Sequence, residues 1–141
     1  MCVDDNTYYG TVSQQLDDLS STLMGDALDM LAEGEYVGVL VVIQKEDASY
    51  DSMQFTNDGI DAMLQAARER VRRTHGALRY AIAYEGAIES EEGGYADALI
   101  MEFGERGRPS FSAFSLFEGR GCGDGFAWTD PAPAGEEEPL I

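Results

Sequence analysis

"YVGVLVVIQ", residues 36–44, is the stretch that decides how this chain folds. It is nearly all apolar and rich in valine, without the polar alternation of a strand that shows one side to water. Such a run predicts a strand covered on both faces, and therefore central in its sheet. "KEDA", 45–48, then reads as a turn. The shorter and more polar "SYDSMQF", 49–55, reads as a strand returning beside the first.

On the N-terminal side, from Thr11 to about Ala32, Val12, Leu16, Leu19, Leu23, Ala27, Met30 and Leu31 recur at helical spacing. Asp18, Asp26, Asp29 and Glu33 take the opposite side, Gly25 is placed to bend or split the helix, and Gly34 to stop it. A second helix is expected from Asn57, with Thr56 as N-cap and Phe55 and Ile60 forming a hydrophobic staple. Its buried stripe is Ile60, Met63, Leu64, Ala67 and Val71, and Gly76 ends it. Three strands follow at 78–88, 96–103 and 110–118, joined by polar turns. "GRGCGDG", 119–125, is a flexible connector, and "FAW", 126–128, a short edge strand. Residues 1–129 are expected to form a single domain and 130–141 a disordered acidic tail.

The fold class is therefore α+β, with element order α-β-β-α-β-β-β. A single, mainly antiparallel five-stranded sheet with two helices is expected. Pairing the first strand with the last of the meander gives the order 2-1-5-4-3. Over roughly residues 11–118 this element order resembles the profilin-like topology shared by roadblock and longin domains. The resemblance implies a fold and no functional residue.

Composition narrows the function classes. A chain of 141 residues fits one domain, and 44% apolar content is that of a folded globule. Cys2 and Cys122 read as free thiols of a cytoplasmic protein. The start, "MCVDDNTYYG", is acidic where an export signal would be basic and then apolar. The run "VGVLVVI", 37–43, is far short of the roughly 18 residues of a membrane span. Net charge is −18, divided as −8 over residues 1–44, zero over 45–80 and −10 over 81–141. Such a surface repels nucleic acid and anionic membranes and would attract a basic protein, a metal cation, or nothing in particular.

Against this acidity, "RERVRRTHG", 68–76, gathers four arginines and the only histidine. On a helical wheel Arg68 and Arg72 flank the buried stripe on one side, and Arg70 and Arg73 on the other. A phosphate-tracking helix would collect its bases on one exposed face. Here the core divides them, and Glu69 stands at pairing distance from Arg72 and Arg73. The stretch reads as a helix end whose cations complement the dipole, with Arg68 and Arg72 as the only candidate anion-binding pair. His75 reads as one more helix-end cation. "GRGCGDG" fails the G-x-G-x-x-G pattern and has no helix behind it to hold a phosphate. Glu85, Asp97, Glu102 and Glu105 are expected as solvated surface. No catalytic residue, metal ligand or cofactor is assigned.

The late strands have contrasting faces. Tyr80, Ile82, Tyr84, Leu99, Met101 and Phe103 are read as one face of large groups. Ala81, Ala83, Ala96, Ala98, Ala113 and Ser115, with Ile100 among them, are read as the other. Two helices predict one face left partly open, so the large residues are expected to form a protein contact. The function expected is protein–protein binding, through homodimerisation or capture of a basic partner, in the manner of an inhibitor or immunity protein. The alternative is an enzyme or small-ligand receptor whose polar groups converge only in three dimensions.

Overall fold

The computed structural model describes residues 12–89 and 92–141, so Cys2 lies outside the described residues. The run 36–44 yields strand β1, Val39–Lys45, which pairs antiparallel with β2, Tyr50–Phe55. Its apolar residues alternate as the pleat requires. Val39, Val41 and Ile43 join one core cluster and Leu40 and Val42 the other. Each face has its own helix.

Helix α1, Gln14–Ala32, covers the Leu40 and Val42 face by packing Leu16, Leu23, Ala27 and Leu31 against Ala81, Ala83, Leu99 and Met101. Ser13 is its N-cap, with the Oγ accepting from the Leu16 amide at 3.1 Å. Gly25 does not break the helix; it is exposed, and nothing stands within 4 Å of where a Cβ would be. Helix α2, Ile60–Arg73, covers the opposite face by packing Met63, Leu64, Ala67 and Val71 against Val39, Val41, Ile43 and Ile82. It begins later than expected. Gly59 is the N-cap, so Ile60 is the first helical residue, is exposed, and forms no staple with Phe55.

The remaining strands are β3 (Ala77–Glu89), β4 (Tyr95–Glu105), β5 (Ser110–Glu118), β6 (Ala127–Trp128) and β7 (Ala132–Glu137). Among the described residues the sheet is antiparallel throughout and has seven strands rather than five. Its order is β2-β1-β3-β4-β5-β6, with β7 also on β5, which corrects the expected 2-1-5-4-3. The first strand of the meander, not the last, lies beside β1. Helix α2 is the cause. At 1.5 Å per residue it returns the chain along the length of β1. The turn at Gly76 (φ +76°) then hands it directly into β3, with Glu46 N–H donating to the Gly76 carbonyl at 2.9 Å. Lys45 and Ala77 are already register partners, and β4 and β5 add outward by hairpins. The order departs from the profilin-like arrangement accordingly.

Register also corrects the expected faces. Ala81 pairs with Phe103 and Ala83 with Met101, whereas Ile82 pairs with Glu102 and Tyr84 with Ile100. Antiparallel partners share a face. Tyr80, Ile82 and Tyr84 therefore lie under α2, and Leu99, Met101 and Phe103 under α1. All are buried except Tyr84, which is half-buried. These six residues are core, not an open contact surface.

Residues 130–141 also differ from the disordered tail that their composition suggests. Strand β7 lies along β5, and Leu140 and Ile141 pack against the α2 cluster. The edge of β5 would otherwise leave a row of amides and carbonyls unpaired, which β7 satisfies despite weak strand formers such as Pro133 and Gly135.

Candidate functional site

Three carboxylates expected at the surface are structural anchors. Glu102, on β4, is 7% exposed. It faces α2, where Arg68 grips it with two hydrogen bonds, Nε to Oε1 at 3.0 Å and Nη2 to Oε2 at 2.5 Å. The Tyr84 hydroxyl donates to the same Oε2 at 3.1 Å. Burial, followed by the adjacent Glu102 charge, pushes the Tyr84 phenol well above its usual pKa, so it remains a donor at neutral pH. Glu105, further along β4, accepts from the Ser13 hydroxyl at 2.5 Å and from Arg79 Nε at 3.1 Å. Arg79 also donates to Gln44 at 2.9 Å. Glu85 pairs with Arg120. Asp97 is exposed. These carboxylates do not converge on one point; they fasten helices and loops to the sheet.

Burial raises the Glu105 pKa, but the bonds from Ser13 and Arg79 outweigh it, leaving the carboxyl below its ordinary value. A lowered carboxylate pKa stabilises the fold above the ordinary value, near 4.3, and that contribution disappears as pH falls through the lowered value. Ser13→Ala removes both the helix cap and one of these donors. It is expected to cost about 1 kcal/mol at pH 7. The deficit should narrow as pH falls below about 4, read by urea unfolding at each pH. A pH-independent deficit would assign Ser13 to capping alone.

The candidate anion-binding pair is not assembled. Arg68 is engaged by Glu102, while Arg72 and Arg73 pair with Glu69 at 3.5 and 3.2 Å. His75 and Cys122 are exposed, and no group of acids, histidines or cysteines able to hold a metal occurs among the described residues. No helix among them is long and apolar enough to cross a membrane.

The site that sequence reasoning missed follows from the same pairing. Every lysine and arginine except Arg70 forms an ion pair with an acid among the described residues. None of the four acids of α1, Asp17, Asp18, Asp26 and Asp29, has such a partner there. At 100° per residue, Gln15, Asp18, Thr22, Asp26, Asp29 and Glu33 fall within an arc of about 80°. Stability alone would not choose this stripe. Asp26 and Asp29 repel at i,i+3, and Asp29 meets the negative end of the helix dipole with no base in the last turn.

Because α1 packs chiefly over β3 and β4, its acidic side overhangs β1 and β2. The result is an open groove of about 350 Å³. Asp18, Thr22 and Asp26 form one wall, Leu19, Leu23 and Val42 the apolar floor, and Gln44, Tyr50 and Ser52 the other side. Tyr50 is 58% exposed, and its hydroxyl accepts from Gln44 Nε2 at 3.2 Å. An exposed aromatic ring opposite unpaired carboxylates suits a guanidinium or ammonium group, which can stack on the one and pair with the other. The far-side acids at 18, 26, 29 and 33 were legible as a helical stripe; their position beside β2 was not. Neither a family model, nor a curated protein, nor a solved structure matches this chain.

Proposed function

We propose that this is a binding protein for a basic protein partner, which it holds in the groove between α1 and β2. The observation that carries the reading is the pairing of charges. Among the described residues every lysine and arginine but Arg70 is ion-paired, while α1 lines a groove with carboxylates that have no cationic partner there. Unpaired like charges next to an apolar floor and an exposed tyrosine favour a ligand that brings positive charge and some apolar surface. A second copy is disfavoured, since each would bring a net charge of −18 and the same acidic stripe.

The test compares two neutralised variants of equal net charge against a labelled peptide of alternating Arg and Val. Asp18→Asn/Asp26→Asn is expected to weaken binding about fivefold to thirtyfold, as two rim charges of roughly 0.5–1 kcal/mol each would. Asp58→Asn/Asp124→Asn, which removes exposed acids outside the groove, should leave affinity nearly unchanged. Equal losses in both variants would reduce the interaction to overall charge and remove the groove from the account.

A further inference from the structure

The groove has a second feature that its charge does not explain, the open margin of the sheet beside it. Strand β2 ends the strand order, and β1 is its only strand partner among the described residues. Its sequence, YDSMQF, contains no proline, glycine or bulge to discourage a further strand. Its one acid, Asp51, is neutralised by Lys45 at 3.2 Å, so the strand presents no net charge of its own. The opposite margin is built differently. Strand β7 carries Pro133, Gly135, Glu136 and Glu137, with a register irregularity where it meets Ser112 and Ala113. One margin is protected against strand addition, and the other is left receptive below an acidic wall.

We propose that the basic partner docks as an extended segment that adds one antiparallel or parallel strand to β2. This rests on the groove-binding reading above and names its mode. A strand added at the sheet spacing of about 4.8 Å would lie beneath the mouth of the groove. Its side chains alternate between faces. Those on the α1 side pass Ser52 and meet Asp18 and Asp26, which calls for Arg or Lys. Those on the α2 side lie next to Met53 and Phe55, which already pack against the α2 cluster and call for apolar groups. The partner segment therefore alternates basic and apolar residues. A second copy of this chain does not meet that description, because YDSMQF supplies no base.

The experiment uses the full chain and two probes of equal charge, the Arg-Val peptide and the same peptide N-methylated at every amide. Binding is read by fluorescence anisotropy, and amide hydrogen exchange is followed along β2. The unmodified peptide is expected to bind at least tenfold more tightly and to slow exchange of the outward amides of β2. Equal affinities without protection of β2 would overturn strand addition while leaving charge-based capture in the groove intact. No binding by either probe would overturn both. Light scattering that shows a peptide-free dimer with β2 protected would assign the edge to a second copy and overturn the proposal.

Discussion

Arg68→Ala is expected to destabilise the fold by about 3 kcal/mol, since it leaves a buried carboxylate facing the protein with only a phenol to satisfy it. Glu102 is held at 7% exposure because β4 is an interior strand and the side chains of Arg68 and Tyr84 close over its carboxylate. Arg68 itself is about one-third exposed, so water already solvates part of its charge. The removal is therefore costly mainly through what remains behind, the carboxylate, and less through the attraction that is lost. Replacing both partners with apolar groups, as in Arg68→Met/Glu102→Leu, should recover most of the deficit. The measurement is urea unfolding of the two single variants and the double variant. A double variant as unstable as the sum of the singles would mean that the two side chains do not act as a unit.

Gly38→Ala should be comparably severe, at about 3 kcal/mol and a fall in Tm of about 10 °C. Gly38 has φ +60°, where a Cβ is disfavoured. A Cβ built there would stand 2.1 Å from the Phe55 carbonyl oxygen, a backbone atom that cannot rotate away. The strain falls at the mouth of the β1–β2 pair, next to the first register partners, Val39 and Phe55. Opening that pair would loosen β2 and with it one side of the groove. Gly25→Ala is the internal control, because Gly25 lies in open space in the middle of α1 and alanine should raise stability there by about 0.5–1 kcal/mol. Calorimetry of both variants should therefore give shifts of opposite sign. Equal and small shifts would show that the Gly38 backbone can relax.

Residues 36–44 show which parts of this fold could be read in advance. An apolar run on both pleat faces implies cover on both sides, and β1 is an interior strand with a helix on each face. The same signal was present in "LRYAIAY", 78–84, where buried residues again occupy both faces. It argues for an interior strand, and placing 78–88 at the margin ignored it. The parity of the hairpin was not legible, because the loop between β3 and β4 decides whether even positions face even ones. A shift of one residue would have brought Tyr80, Ile82 and Tyr84 together with the large residues of β4. Instead Ile82 faces Glu102, which is how a carboxylate came to be buried under Arg68. The arginines were better placed in advance, since wheel geometry separates Arg68 and Arg72 from Arg70 and Arg73 without tertiary knowledge. What sequence could not supply was the lateral position of α1 over the sheet, and the groove is a consequence of that position alone.

The central claim, that the α1 stripe and the β2 margin together receive a basic partner, is tested most directly by mapping amide chemical shifts during titration with the Arg-Val peptide. The account predicts perturbations along the side of α1 carrying Asp18 and Asp26 and along Tyr50–Phe55, with β7 and its Glu136 and Glu137 unaffected. Perturbations distributed over all exposed acids, or concentrated on β7, would contradict it.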